Sequence, residues 1–453
     1  MSTTVDQPQS APPELSAKDR RRVAFASTIG TTIEFYDFYV YATAAVAVFP
    51  FLFFPESDNP TVGLLASFAT FGLAFVARPL GSILFGHFGD RVGRKATLVG
   101  ALLTMGIATF LIGLLPTYGQ IGIIAPALLA LMRFCQGLGL GGEWSGAALL
   151  ASETAAEGKR ARAAMWPQFG APFGFFLANG FFLVLVTLLG HNSGDAHGAF
   201  MSWGWRIPFL ASAIMVIVGL YVRLRLQETP VFQQAVDTGK KVDSPLGEVF
   251  RTAWRPLISG TFIMVGCYTI FYLVTTWILS YGITDKESGT GLGIPYNDFL
   301  VIQLVSIFAF IIGIPIAGRL ADTKGRKPTL FWTTIAIIAF GFSFEFFLDP
   351  ATATEGSVLA FLTIGMFLMG LIFGPMSAVL PELFPTNVRY TGSGISYNVS
   401  SILGAAIAPF IATALNAEFG VQSVGWYLVV VAVISLIAII MMRETREKDL
   451  SEI

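Results

Sequence analysis

The feature that most limits what this chain can become is a succession of long apolar runs, each able to cross a lipid bilayer. A bilayer core takes roughly 20 apolar residues per helix. Twelve such runs lie at 23–53, 62–86, 96–116, 121–150, 163–190, 205–226, 256–283, 297–320, 329–348, 356–380, 391–416 and 421–442. Several exceed the minimum, which tilt or overhang accommodates. Of the 453 residues, 54% are hydrophobic and only 13% charged, with a mean hydropathy of +0.68. A soluble chain carries about 25% charged residues, so this one has too few to cover a water-facing surface. An all-α membrane protein with twelve transmembrane helices is expected.

The basic residues orient those spans. Lys18 and Arg20 to Arg22 precede span 1, Arg91, Arg94 and Lys95 follow span 2, and Lys159, Arg160 and Arg162 follow span 4. Arg223, Arg225, Lys240, Lys241, Arg251 and Arg255 lie between spans 6 and 7. Arg319, Lys324, Arg326 and Lys327 follow span 8, Arg389 follows span 10, and Arg443, Arg446 and Lys448 follow span 12. Together these are 24 of the 28 lysines and arginines, all on one side. The opposite side holds Lys286, with Arg206 at a span edge. Both termini are therefore expected in the cytoplasm. Met1 to Ala17 is polar and lacks the short apolar core of a signal peptide, so span 1 is read as retained. The net charge of −1 gives no reason to expect a nucleic-acid partner. Cys135 and Cys267 fall in apolar runs without disulfide or metal-ligand spacing, and neither metal nor cofactor is expected.

The two halves repeat. Gly86-His-Phe-Gly-Asp-Arg-Val-Gly-Arg-Lys95 recurs as Gly318-Arg-Leu-Ala-Asp-Thr-Lys-Gly-Arg-Lys327, offset by 232 residues, with five of ten positions identical. Glu153 and Arg160 after span 4 are echoed by Glu382 and Arg389 after span 10. Gln227-Glu-Thr229 after span 6 is echoed by Arg443-Glu-Thr445 after span 12. Three echoes in one order imply a duplicated six-span unit. The divisions expected are a tail at 1–22, bundles at 23–226 and 256–442, a linker at 227–255 and a second tail at 443–453. Basic loops can simply anchor helices. Two copies of Gly-x3-Asp-x2-Gly-Arg-Lys ask for more: glycine permits close helix approach, and aspartate can bond helix N-terminal N–H groups or pair with arginine. A cytoplasmic latch is expected from Gly86, Asp90, Arg91, Gly93, Arg94, Glu153, Arg160, Asp322, Gly325, Arg326, Glu382 and Arg389.

The repeated motif resembles the signature loop of the major facilitator superfamily. Finer marks resemble its metabolite:proton symporter branch: Gly30-Thr-Thr-Ile-Glu-Phe-Tyr-Asp-Phe-Tyr-Val-Tyr41, Ala77-Arg-Pro-Leu-Gly81, Arg133-Phe-Cys-Gln-Gly-Leu-Gly-Leu-Gly-Gly-Glu-Trp144, Glu228-Thr-Pro230 and Pro381-Glu-Leu-Phe-Pro-Thr-Asn-Val-Arg-Tyr-Thr-Gly392. The chain is similar to bacterial inner-membrane metabolite transport proteins. The resemblance implies two pseudo-symmetric six-helix bundles rocking about a central site, lined in part by spans 1 and 4. It does not choose a solute, since members of the branch carry oxoglutarate, shikimate, citrate, or proline and betaine.

Ionisable groups inside a span cost several kcal/mol and are functional candidates. The first half has Glu34, Asp37, Arg78 and Arg133. At the repeat offset the second half has Gly266, Thr269, Phe310 and Gly365, none ionisable. Glu34 lies about 17 Å into span 1 at 1.5 Å per residue, and Asp37 borders the same face. Pairing of these acids with Arg133, made and broken during transport, would couple proton binding to movement; a static ion pair is the alternative. Arg78, before Pro79, either grips a substrate carboxylate or snorkels toward the headgroups. Glu143 is expected near the cytoplasmic gate.

Tyr36, Tyr41, Trp144, Trp166, Tyr268, Tyr272 and Trp277 are candidate aromatic lining, able to cage a cation or simply to pack. Gln168, Asn179, Gln303 and Asn398 are buried polar candidates for substrate contact or interhelical bonding. His87, His191 and His197 read as loop residues. No nucleophile–base or metal constellation supports an enzyme. The expectation is a monomeric proton-coupled symporter of a small organic carboxylate; a zwitterion such as betaine or proline is the alternative.

Overall fold

A computed structural model describes residues 17–55, 60–92, 94–141, 144–153, 155, 158–190, 198–225, 245–385 and 388–447. Every regular element among them is helical. In the first half α1 is Ala17–Ala47, α2 Pro60–Val92, α3 Arg94–Ile112, α4 Ile124–Leu140, α5 Gly170–Leu189 and α6 Arg206–Arg225. In the second half α7 is Trp254–Tyr272, α8 Tyr296–Thr323, α9 Arg326–Gly341, α10 Glu355–Phe373, α11 Arg389–Ser401 and α12 Val421–Met441. α7 continues through a π turn at Leu273–Trp277 and a helix at Ile278–Ile283, and α11 through a π turn at Ile402–Ala406 and a helix at Ala408–Phe419.

The twelve helices correspond to the twelve apolar runs. Eight helical segments have the length and hydropathy to cross a bilayer, and α3 and α4 contribute shorter apolar stretches at Val99–Ile112 and Ile124–Leu140. The remaining two, α1 and α9, are diluted by what they carry: α1 holds the basic cluster, Glu34 and Asp37, and α9 opens on Arg326 and Lys327. About half of most span windows is buried, as expected when one face meets lipid. The Trp254–Ile283 window is 83% buried, so α7 is wrapped by protein.

Within the first half α1 packs on α5 and α6, and α4 on α2 and α3; within the second, α7 packs on α11 and α12, and α8 on α10. The halves meet where α5 packs on α8 and α2 on the π turn of α11. Small residues allow the tightest crossings. Gly137 of α4 and Gly141, which caps that helix, lie against the backbone of α2 at Ala74 and Arg78, and Gly81 of α2 lies against Leu138. These contacts follow Arg133 on α4 and lie to either side of Arg78 on α2, so small residues let the two helices that carry the buried guanidinium groups pack closely. Gly313 and Gly370 play the same part for α8 and α10, where an added Cβ would sit 2.7 and 2.6 Å from a carbonyl.

Gly137→Val is expected to lower the melting temperature in detergent by several degrees, the cost of over-packing being about 1–3 kcal/mol. Gly180→Ala, at a helix position with nothing within 4 Å, serves as the control and should melt with the parent.

Candidate functional site

Asp37 and Arg133 do not meet in a direct ion pair. Arg133 is 0% exposed and Asp37 1%. The expected direct contact between them is replaced by a bridge of two neutral side chains. Arg133 Nη1 donates to Gln136 Oε1 at 2.8 Å, Gln136 Nε2 donates to Thr109 Oγ1 at 2.7 Å, and Thr109 Oγ1 lies 3.3 Å from Asp37 Oδ2. The guanidinium is roofed by aromatic faces, with its carbon 4.0 Å from the Tyr41 centroid, 4.5 Å from Phe38 and 5.0 Å from Phe71. Such contacts stabilise a desolvated cation by about 2 kcal/mol or more. Arg133 Nη2 and Asp37 Oδ1 are buried without a hydrogen-bond partner.

Arg78 occupies the seam between the halves. It is 5% exposed, its guanidinium carbon stands 5.0 Å from the Phe75 centroid and 5.3 Å from Phe38, and its Nε has no hydrogen-bond partner. Glu34 of the first half and Tyr268, Tyr272 and Tyr397 of the second lie within electrostatic reach. Around it runs an aromatic column that crosses the seam. Trp144 stacks on Tyr397 with centroids 3.9 Å apart, Tyr397 meets Tyr268 at 5.3 Å, and Tyr272 meets Phe75 at 5.5 Å. Further along, Phe35 meets Phe271 and Phe373, both at 6.4 Å. The centre therefore joins a charged wall from one half to an aromatic wall from the other.

Other sequence candidates are placed elsewhere. The Tyr36 hydroxyl donates to the Pro208 carbonyl of α6, and Trp277 stacks on Tyr281 and Phe344 within the second half. Trp166 is 44% exposed. All four buried amides named from sequence bridge the halves. Gln168 Nε2 donates to the Phe373 carbonyl at 2.8 Å, and Asn398 Nδ2 to Ser82 Oγ at 2.9 Å and the Gly141 carbonyl at 3.1 Å. Toward the opposite end, Thr43 Oγ1 donates to Asn179 Oδ1 at 2.6 Å and Asn179 Nδ2 to Gln303 Oε1 at 3.4 Å. Gln303 Nε2 then donates to the Thr275 carbonyl at 2.8 Å, inside the π turn that interrupts α7. A π turn frees backbone groups, and here a side chain from α8 takes one up.

At the end where α12 finishes, charge closes the seam. Asp322 accepts from the Ala161 and Arg162 N–H groups at 3.0 and 3.1 Å, across the halves. Arg326 forks onto Glu382 with two bonds of 3.1 Å and reaches Asp322 at 3.3 Å. Arg160 of the first half approaches the same Glu382 at 3.5 Å. Thr445 Oγ1 donates to Glu382 Oε2 at 2.5 Å, and Glu444 accepts the Arg326 and Lys327 N–H groups at 3.0 and 2.9 Å. Gly325 explains its place in the repeat: its φ of +110° disfavours any side chain, and an added Cβ would lie 2.7 Å from the Glu444 carboxylate. Arg389 Nε donates to the Phe384 carbonyl at 3.3 Å.

The first copy of the motif is seen only in backbone. The side chains of His87, Asp90, Arg91, Arg94 and Glu153, with the surroundings of Gly86, lie outside the described residues, as do Gly93, Glu143, His191, His197 and Gln227 to Pro230. Sequence reading missed Thr109, Gln136, Tyr397 and Ser82. Only Gln136 left a signal: it stands three residues after Arg133, on the same helical face.

The comparisons with known proteins accord with this architecture. A family model described as Major Facilitator Superfamily matches residues 27–403. The inner membrane metabolite transport protein YhjE of Escherichia coli (strain K12) is 52% identical over 451 residues, covering 99% of each chain. The shikimate transporter of the same organism is 36% identical, covering 95% of this chain and 96% of the other, and its proline/betaine transporter is 33% identical, covering 95% and 85%. The solved proton:xylose symporter XylE shares the fold, with a TM-score of 0.71 at 17% identity, covering 97% of this chain and 99% of the other. A family model over most of the length, and a relative identical at half its positions from end to end, place this chain in the major facilitator superfamily, as a multi-span membrane transporter of two six-helix bundles.

Proposed function

We propose that this transporter is a proton-coupled symporter of a small organic carboxylate, working by alternating access in the bacterial inner membrane, with both termini cytoplasmic. The observation that carries the reading is Arg78: a nearly fully buried guanidinium at the seam, with Nε lacking a partner and three tyrosines of the opposite half within electrostatic reach. A carboxylate entering between the bundles would satisfy those donors bidentately. It would draw the aromatic wall of Tyr268, Tyr272 and Tyr397 against the charged one. Asp37 and Glu34 are the proton-binding groups in this reading, with Arg133 held as fixed positive charge. The relatives named for metabolite and shikimate transport support a small-molecule cargo.

A second reading has its own observation. Glu34 lies close enough to Arg78 to interact with it, among tyrosines. A zwitterion could place its carboxylate on Arg78 and its cation against Glu34 and the rings. The relative named for proline and betaine transport supports this alternative.

The two closures then act as opposing gates. The charged one at Asp322, Arg326, Glu382 and Arg160 would be the cytoplasmic latch. The amide one at Asn179 and Gln303 would seal the far side. The bundles at 23–226 and 256–442 would rock as units joined by the linker at 227–255, with a monomer sufficient for transport.

The reading is tested by uptake into proteoliposomes under an imposed pH gradient, with a panel of labelled carboxylates and betaines. Carboxylates should accumulate above equilibrium; accumulation of betaines alone would select the second reading. For whichever compound is taken up, Arg78→Gln should weaken apparent affinity by about a hundredfold, as expected for loss of a buried charge-assisted pair. Unchanged affinity would remove Arg78 from the site. Of Glu34→Gln and Asp37→Asn, at least one should keep counterflow exchange while losing uphill uptake. Asp322→Asn should raise the labelling rate of a cysteine placed at Gly318 by thiol reagents added from the cytoplasmic face, because the bonds from Ala161 and Arg162 are weakened.

A further inference from the structure

The polar bridge between Arg133 and Asp37 has a direction. A guanidinium offers only donors, so the Gln136 oxygen must face it, and the amide N–H must then point at Thr109. The distances of 2.8 and 2.7 Å agree with that assignment. Thr109 Oγ1 thus already accepts one hydrogen bond and has one hydrogen to place. Two acceptors compete for it: the Met105 carbonyl one turn back on α3, at 2.9 Å, and Asp37 Oδ2 on α1, at 3.3 Å.

We propose that Thr109 is a positioning residue for Asp37, a hydroxyl rotor whose single hydrogen follows the protonation of the carboxyl. When Asp37 is ionised, Thr109 turns its hydrogen to Oδ2, completing a one-way chain from Arg133 through Gln136. When a proton binds at Oδ2, the carboxyl becomes the donor, and Thr109 accepts from it with its remaining lone pair. The Thr109 hydrogen then returns to the Met105 carbonyl, the partner it would have in an ordinary helix. No covalent bond other than that to the arriving proton forms or breaks. The rotor keeps Thr109 and Gln136 satisfied in both states, which a direct Arg133–Asp37 ion pair would not. Loss of one partner from such a buried pair leaves a charge stranded. The bridge lets Asp37 take and give a proton while Arg133 keeps its bond to Gln136.

Few other ionisable groups face this carboxyl among the described residues. Tyr36, on the same helix, lies within electrostatic reach of Asp37, and its hydroxyl is already engaged with Pro208. Glu34, one turn earlier, and Arg78 of α2 interact with each other and with the tyrosines of the seam. α5 has no ionisable residue, and Arg206 at the start of α6 bonds the Gly113 and Leu115 carbonyls at 2.9 and 2.6 Å. Arg133 reaches Asp37 only through Gln136 and Thr109. The inference rests on the proton-coupled reading of Asp37.

Infrared titration of the purified full-length protein in lipid, with protons as the sole probe, separates the two claims. The parent should show a protonated-carboxyl band that titrates and that Asp37→Asn removes. In Thr109→Val, which has the same shape without the hydroxyl, that band should shift in frequency. Its midpoint should be displaced by about one pH unit, tenfold in proton affinity, in a protein that still folds although Gln136 Nε2 loses its acceptor. Thr109→Ser should restore both. A Thr109→Val band with the parent's frequency and midpoint overturns the rotor and leaves Asp37 as the proton site. Absence of any band sensitive to Asp37→Asn overturns Asp37 as the proton site, and the rotor with it.

Discussion

Arg133 is the group around which the first half is arranged. A permanently charged side chain at 0% exposure, at the depth of the hydrocarbon core, is tolerable only where the protein replaces water. Three rings supply the roof, Gln136 supplies the nearest acceptor, and Gly137, one turn after Arg133, lets α2 pack closely against α4. Gln136 then fixes Thr109, and Thr109 faces Asp37. Remove the guanidinium and neither the amide nor the hydroxyl has a reason to point as it does. The geometry of the candidate proton site is thus a consequence of solvating one arginine.

The seam between the halves is closed by unlike chemistry at its two ends. At the end where α12 finishes, two carboxylates and two arginines share a network with Glu444 and Thr445, in which Asp322, Glu382 and Arg326 are buried. Toward the other end amides do the bridging, through Asn179 and Gln303. Charge-assisted bonds are roughly twice as strong as neutral ones. The contacts at the two ends of the seam are therefore unequal in kind, charged at one and neutral at the other. Between them, Trp144 on Tyr397 and Phe75 on Tyr272 pair a ring from each half. Neither contact involves a hydrogen bond between the paired rings.

Much of this was legible before the structure. Spans show as apolar runs because lipid forbids alternatives to closed backbone hydrogen bonding, and the repeat at Gly86 and Gly318 exposed the two-bundle plan. Glu34, Asp37, Arg78 and Arg133 stood out because charge in an apolar run is conspicuous. What could not be read was how α1, α3 and α4 are rotated about their axes. That rotation decides whether Asp37 meets Arg133 or Thr109, and no single-helix pattern encodes it. A threonine inside a helix, such as Thr109, is usually bonded to its own backbone and attracts no notice. The same limit applies to Trp277, whose sequence position suggests the centre and whose ring faces Tyr281. Asn398 was visible as a buried amide, but its partners Ser82 and Gly141 belong to the other half.

In the proposed mechanism a proton moves with the cargo through the carboxyl groups of α1. The most direct measurement loads proteoliposomes with a pH-sensitive dye and adds a transported carboxylate outside, with no imposed pH gradient and the membrane potential clamped. Proton symport acidifies the lumen in step with uptake, and the acidification should be lost in whichever of Glu34→Gln and Asp37→Asn abolishes uphill transport. Uptake at the parent rate with no change in luminal pH would contradict it.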